Sequence, residues 1–355
     1  MEELKKDLAL RLKTNLFSFP LIERPPFPQK NLLIEVTNLC NHKCIFCAHK
    51  KMNRKQGTIN FDFCSRILQE AYEDGCREVG FYATGEPLLY KQLPEVINTA
   101  KKIGYTYTYI TTNGVLLSES KAKEICQAGI DSIKLSINAV NKKKYNFIHG
   151  KDNFETVINN LKQLFLYRKQ SNLNFKIFIS YIATKYTEDD MEEFLQKYRN
   201  YCDEIVFLPV INQTGMNCEI EELACVKKHN LLVQKPFSHI PCSRVFTGLL
   251  VTYEGYLSAC CADFENQLII ADLNKISLKE AWNSNKAIEL RKKHIQRNVR
   301  GLMCDNCCSY EAKKFSPLST EFATPIDFKM VYDNSDIKNR VNELLNGDLS
   351  IKSDR

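Results

Sequence analysis

Three cysteines fall within eight residues, Cys40-Asn-His-Lys-Cys44-Ile-Phe-Cys47. Thiolates are soft ligands, suited to zinc and to iron–sulfur clusters. A loop of this length can wrap its sulfurs around one cofactor, whereas a helix would splay them onto different faces. Three thiolates can hold three irons of a [4Fe–4S] cube and leave the fourth iron without a protein ligand. That open corner can bind a small molecule, by the logic that separates catalytic from structural zinc sites. The competing reading is a zinc site with His42 or His49 as fourth ligand, although zinc sites favour a Cys pair with a distant second pair.

Further polar residues stand at intervals along the chain: Thr84-Gly85-Glu86-Pro87, Thr112-Asn113-Gly114, Ser136 with Asn138, and Ser180. Their meaning depends on the elements that carry them. β-prone segments at 31–37, 78–83, 105–111, 132–137, 175–182 and 204–209 alternate with amphipathic ones at 61–74, 92–103, 119–128 and 154–168, and with a helix after Thr187. Ser118 is a fitting N-cap for the third of these helices, and Gly129 a fitting stop. Six such units predict an α/β fold, a parallel sheet wrapped by helices, too few for a closed eight-stranded barrel. The expectation is an open, partial (β/α)6 TIM barrel. In such folds the chemistry collects in the loops after the strands, and every motif above follows a strand. For each polar residue alone, a turn-forming role at a strand end is the plain alternative.

Beyond the barrel the pattern breaks. The expected organisation is an N-terminal extension over 1–30, the barrel over 31–215, a linker over 216–240, a cysteine-rich domain over 241–315 and a polar tail over 316–355. Residues 241–310 show little periodicity, apart from the helix opening SLKEAW, where Ser277 and Glu280 have capping-box spacing. In the tail, 336–346 reads as an amphipathic helix ended by Gly347.

CxxxCxxC after the first strand of a partial barrel, with Phe46 before the third cysteine, resembles the radical S-adenosylmethionine (radical SAM) superfamily. Gly85-Glu86-Pro87 resembles the motif that contacts the methionyl amino group in that family, with Thr84 where a first glycine is usual. Thr112 and Asn113 resemble ribose-binding positions, and Ser136, Asn138 and Ser180 are similar candidates. Many members carry Asp at the place of Asn138. The spacing from Cys242 through Gly255 to Cys260 resembles the opening of a SPASM/twitch extension, and Cys304 with Cys307 closes a four-cysteine set. The resemblance implies S-adenosyl-L-methionine as cofactor, a [4Fe–4S] cluster on Cys40, Cys44 and Cys47, and a second, auxiliary [4Fe–4S] cluster on Cys242, Cys260, Cys304 and Cys307. A flavodoxin- or ferredoxin-type electron donor is implied with them. A four-cysteine zinc ribbon on the second set is the alternative that spacing leaves open. Cys261 and Cys308 adjoin the proposed ligands.

What the resemblance implies for the reaction is cleavage of S-adenosylmethionine to a 5′-deoxyadenosyl radical, which takes hydrogen from a substrate. Two enzymatic readings follow. The first is oxidation of a sugar- or cyclitol-type alcohol, since the four-cysteine layout is similar to that of 2-deoxy-scyllo-inosamine dehydrogenase. The second is a peptide- or protein-modifying maturase. Many peptide modifiers carry an N-terminal leader-binding domain, and 30 residues before the first strand are few for one. A reading of another class is a non-catalytic iron–sulfur or zinc protein. The general base is not identified; Tyr82, Arg244 and Asp263 are placed where they could face a substrate.

Bulk properties narrow the setting. Fifteen cysteines in 355 residues, with no apolar export signal at the N-terminus, are better read as cluster ligands in a reducing cytoplasm than as a disulfide framework. Cys64, Cys76, Cys126, Cys202, Cys218 and Cys225 are scattered, as structural cysteines are. No stretch is apolar for the roughly 18 residues a membrane helix needs. A net charge of +7 suits an anionic substrate without requiring one. The basic runs 142–144 and 291–293 read as solvated helix faces rather than a nucleic-acid footprint.

Overall fold

The computed structural model describes residues 23–30, 32–213, 216, 220–223, 242–296, 298–305 and 307. Most of the N-terminal extension, the expected tail helix and Cys218, Cys225 and Cys308 lie outside the described residues.

Six parallel strands form the predicted partial barrel: β1 (Leu32–Ile34), β2 (Glu78–Gly80), β3 (Tyr107–Thr112), β4 (Ser132–Ser136), β5 (Lys176–Ala183) and β6 (Glu204–Pro209). They are neighbours in chain order across the sheet. Between them run α1 (Phe61–Glu73), α2 (Leu93–Ile103), α3 (Glu119–Gln127), α4 (Lys142–His149), α5 (Phe154–Gln170) and α6 (Met191–Tyr198). Strand residues alternate between the two faces. Leu32, Ile34, Val79, Ile110, Ile133 and Ile177 turn outward and share a core with Ile67 and Leu68 of α1 and Val96 and Ile97 of α2. Leu33 and Tyr109 turn the other way, into the concave face. Gly80 is required there, because a Cβ would lie 2.5 Å from the Tyr109 ring.

The helix ends are specified locally. Asn60 Oδ1 accepts from the Phe63 N–H at 2.8 Å, and Ser118 Oγ accepts from the Lys121 N–H at 3.3 Å, as the sequence predicts for the latter. Helix α4 enters the sequence reading only through the basic run 142–144, read there as a solvated helix face. Asn141 caps its start through a 3.0 Å bond from the Lys144 N–H, and Gly150, at φ 66°, ends it in the left-handed region.

Over 241–310, where the sequence shows little periodicity, the structure adds three short strands. β7 (Leu249–Val251) runs parallel to β1 on the edge opposite β2, pairing Leu250 with Leu33. β8 (Tyr256–Ser258) and β9 (Ile269–Asp272) extend the sheet antiparallel. Strands of three or four residues are too short to display a two-residue period, which is why periodicity missed them. The SLKEAW helix forms as α7 (Leu278–Trp282) with the predicted capping box, and α8 (Asn285–Ile295) follows.

One correction concerns 291–293. Arg291 is buried rather than solvated: its guanidinium lies 3.9 Å from the Trp282 ring centroid and donates to the carbonyls of Val245 at 2.8 Å and Trp282 at 2.9 Å. Burial pushes its pKa down to about 10.

Arg54 ties the two parts of the chain together. It donates to Glu35 of the β1 end at 2.6 Å and to Glu254 of the β7–β8 turn at 2.9 Å. Glu35 also accepts from the Thr84 hydroxyl and, at 3.2 Å, from the Tyr253 N–H. All four carboxylate oxygens of this triad therefore have charged or polar donors, as a buried ion group requires.

Candidate functional site

The loop carrying Cys40, Cys44 and Cys47 leaves β1 and is closed at its base by a bridge between Thr37 and Thr58. Thr37 Oγ1 donates to the Gly57 carbonyl at 2.7 Å, and Asn38 makes a reciprocal pair, Nδ2 to the Lys55 carbonyl and Oδ1 from the Gly57 N–H, each at 2.8 Å. Its tip is held by the end of α4. The N–H groups on either side of Cys44, those of Lys43 and Ile45, donate to the carbonyls of His149 at 3.1 Å and Ile148 at 2.9 Å. Phe46 is buried with Ile148, Val210 and Leu223, which seats the loop on α4 and the β6 exit. The Ala48 N–H donates to Gln213 Oε1 at 2.5 Å.

Burial raises all three thiols. Cys40 is pushed up to about 12 by burial, with Glu86 and Cys47 adding to the rise against backbone N–H donors. Burial puts Cys44 well above its ordinary value, and Cys47 and Cys40 push it further. Cys47 is raised by burial, partly offset by the His49 N–H and the Gln213 side chain. Three buried thiols that oppose one another's ionisation call for a cationic group among them, and an iron–sulfur cluster is such a group.

The single-ion alternative fares worse. His49 Nε2 is hydrogen-bonded to the Asn38 carbonyl at 2.7 Å, which takes up one of the two ring nitrogens that the zinc alternative could use. Among the described residues, the set with ligand atoms all within 4.8 Å of one another is His42, Cys44 and His149, which leaves Cys40 and Cys47 outside. Both ring nitrogens of His149 already face hydrogen-bond partners, Cys44 Sγ and Asn138 Nδ2, each at 3.3 Å.

The rim motifs form two groups. Gly85 packs directly under the cysteine loop: a Cβ there would lie 2.4 Å from the Thr37 carbonyl oxygen and 2.6 Å from that of Leu39. The Glu86 N–H donates to the Leu39 carbonyl at 2.7 Å. Glu86 is buried; its Oε1 accepts from the Thr112 hydroxyl at 2.6 Å and the Leu88 N–H at 3.1 Å, and its Oε2 from the Asn113 N–H at 2.7 Å. Burial pushes it up to about 7 despite these donors. Pro87 opens the 3-10 turn Pro87–Leu89 that Glu86 caps. Asn113 Nδ2 donates to Asn41 Oδ1 at 2.6 Å, joining the end of β3 to the cysteine loop. Gly85, Glu86, Thr112, Asn113 and Cys40 are thus one assembly. In the second group, Ser136 and Ser180 face each other at 3.2 Å across β4 and β5. Asn138, just beyond, accepts from the Ile182 N–H at 2.7 Å and contacts His149.

Sequence reasoning missed His149 and Asn41. For His149 a signal existed: Asn141 and Gly150 bracket a capped helix that delivers its last residue to the cysteine loop. For Asn41 none did, since its partner lies 72 residues away.

The second cysteine set sits beside the sheet extension. Cys260 and Cys304 pack into one apolar cluster with Val245, Phe246 and Leu268. The Cys307 N–H donates to the Cys304 carbonyl at 3.2 Å, and the Cys242 N–H to His294 Nδ1 at 3.4 Å. Cys261 faces the other way, against Leu33, Tyr109, Leu250 and Tyr82 of the concave face. Adjacent cysteines therefore serve different surfaces. Burial lowers the Arg244 pKa, but Cys261, Cys260, Tyr82 and Cys242 outweigh it and raise it, so this cation is within electrostatic reach of the second set and of Tyr82. Lys134 lies 5.8 Å from the Tyr82 ring centroid on the same face. Asp263 shapes a turn instead, accepting from the N–H groups of Gln267 and Leu268, each at 2.8 Å.

Comparison with known proteins follows the same division. Residues 34–198 match the radical SAM superfamily, and residues 242–308 match the SPASM iron–sulfur cluster-binding domain. A probable GTP 3′,8-cyclase of Methanococcus vannielii is 26% identical over 270 residues, covering 67% of this chain and 86% of that one. Other curated relatives are spanned over 42–59% of their own lengths. Among solved structures, Streptococcus suis SuiB bound to precursor peptide SuiA superposes with a TM-score of 0.58 at 17% identity, covering 87% of this chain and 74% of that one. BtrN in complex with AdoMet and 2-DOIA superposes with a TM-score of 0.52 at 17% identity, covering 84% and 97%. At these identities the structures share the fold.

Proposed function

The chain carries a radical SAM domain followed by a SPASM domain, and on that premise we propose that it is an enzyme oxidising a small polar alcohol of the sugar or cyclitol type. The family implies [4Fe–4S] clusters and S-adenosylmethionine. Cys40, Cys44 and Cys47 would hold the first cluster, and Cys242, Cys260, Cys304 and Cys307 the second. When bound, these groups would supply a 5′-deoxyadenosyl radical able to remove hydrogen from a carbinol carbon, the hydroxyl proton then passing to a base and the remaining electron to the second cluster, which leaves a carbonyl.

The protein's part is positioning. Gly85 lets the rim lie against the cysteine loop with no side chain between them. Glu86, Thr112 and Asn113 fix that rim through mutual hydrogen bonds. Lys134 and Tyr82 on the concave face, with Arg244 in electrostatic reach of Tyr82, offer cations and a hydroxyl suited to a polar, electron-rich substrate. The observation that carries the reading is a three-cysteine loop leaving β1 and a four-cysteine set in the segment whose strands β7, β8 and β9 extend the same sheet. Among the described residues no helix is long and apolar enough to cross a membrane. A cytoplasmic setting, with a flavodoxin- or ferredoxin-type reductant, suits cysteines that serve as cluster ligands.

The test is anaerobic reconstitution with iron and sulfide, then incubation with dithionite and S-adenosylmethionine. Release of 5′-deoxyadenosine is expected, and none would sink the enzymatic reading. With polyols deuterated at the carbinol carbon, deuterium should appear in the 5′-deoxyadenosine. Transfer from a peptide and from no polyol would replace the alcohol by a peptide substrate.

A further inference from the structure

His149 is buried at the end of α4, 105 residues from Cys44 in sequence, and joins Cys44 to one rim residue, Asn138. Its ring stacks on Tyr145 at a centroid distance of 4.2 Å. Its protonation pattern follows from the backbone. The Ile182 N–H can only donate, so the Asn138 atom it meets at 2.7 Å is the amide oxygen. The other amide atom, which faces His149 Nε2 at 3.3 Å, is therefore the NH2 group. An amide NH2 only donates, so Nε2 must accept and carries no proton. In a neutral imidazole the proton then sits on Nδ1, which lies 3.3 Å from Cys44 Sγ. The N–H points at the sulfur.

We propose that His149, set by Asn138, is a positioning residue that donates an Nδ1–H hydrogen bond to the Cys44 sulfur and thereby raises the reduction potential of the cluster held there. The inference rests on the reading of Cys40, Cys44 and Cys47 as ligands. A donor aimed at a ligand sulfur stabilises the more negative, reduced state, and hydrogen bonds to sulfur are among the factors that set cluster potentials. Burial strengthens the effect, because the surrounding medium screens it little. The neighbouring backbone bonds from Lys43 and Ile45 to the end of α4 hold donor and sulfur in register.

The experiment is a redox titration of the reconstituted protein followed by electron paramagnetic resonance, reading the signal that disappears in Cys44→Ala. His149→Phe keeps a ring of similar shape and loses the donor. It should bind the same iron and show a lower potential, by about tenfold in the reduced-to-oxidised ratio at fixed potential, or about 59 mV for one electron. His149→Asn, which can place an amide N–H where Nδ1 stood, should recover part of the shift. An unchanged potential in His149→Phe overturns the proposal. Should His149→Phe fail to hold iron, the 15N shifts of His149 in the wild-type, metal-free protein decide: the Nδ1–H tautomer supports the proposal, and Nε2–H overturns it. If Cys44→Ala removes no iron signal, the ligand assignment itself fails, and this inference with it.

Discussion

The two cysteine sets are built in opposite ways. The first is contiguous, eight residues from Cys40 to Cys47, yet its supports are distant: α4 clamps the tip, Gln213 holds Ala48, and Asn113 reaches Asn41. The second is scattered from Cys242 to Cys307, and the neighbours described for it fall within that same stretch of chain: the β7–β8 hairpin, His294, and Val245 and Phe246, on which Cys260 and Cys304 pack. A compact motif thus announces its chemistry and hides its supports, whereas a dispersed one shows little of either. The difference also assigns risk. The first site can be damaged from many places in the chain, the second mainly from within its own region.

Substitutions can break this contrast or sharpen it. The largest effect is expected from Cys44→Ala, which should cut cleavage of S-adenosylmethionine by about four orders of magnitude, ~5.5 kcal/mol of transition-state stabilisation. Cys304→Ala should leave cleavage within about threefold in the same assay while stopping turnover of substrate. Equal loss in both variants would mean that the two sets act as one.

Next is Arg54→Met, which strands Glu35 in a buried place between the sets. It should cost ~3–5 kcal/mol in chemical denaturation, with iron lost from both sites. Loss from one site alone would show that the triad belongs to that region only.

A third effect is a pH dependence in the metal-free protein. Glu86 is pushed from an ordinary 4.5 up to about 7 by burial. Between these values the folded state keeps a proton that the unfolded state has lost. Stability should therefore fall as pH rises from about 4.5 to about 7, by up to ~3 kcal/mol, and level off above. Glu86→Gln should flatten the profile over that window, as read by thermal melts across pH.

The smallest expected effect is that of Gly85→Ala. Its Cβ would meet backbone oxygens of Thr37 and Leu39 that cannot swing aside. About 1–3 kcal/mol of overpacking is expected, with iron retention reduced at the first set and unchanged at the second.

The barrel was legible in the sequence because α1, α2, α3 and α5 are long enough to show a helical period and the parallel strands between them are β-rich. The motif-bearing loops were legible because each follows a strand. What escaped was short or long-range. Helix α4, with three consecutive lysines, shows a weak apolar stripe and is defined by its caps at Asn141 and Gly150. Strands β7, β8 and β9 fall below the length at which alternation becomes visible. Arg291 reads as one of three basic residues on a helix, and only the fold shows that it faces Trp282 and Val245 while its neighbours do not. Glu86, Thr112 and Asn113 were identifiable as rim residues, but their bonds to one another depend on β2 and β3 lying side by side.

The placement of β1 between β2 and β7 limits how this architecture can be recombined. Leu33 pairs with Gly80 on one side and Leu250 on the other. Cutting the chain before β7 would turn the strand that launches the cysteine loop into an edge, with bare amides open to intermolecular pairing. The C-terminal region is for that reason no detachable accessory, and a chimaera that exchanges it between homologues has to match the β1 seam before any cofactor chemistry can be compared.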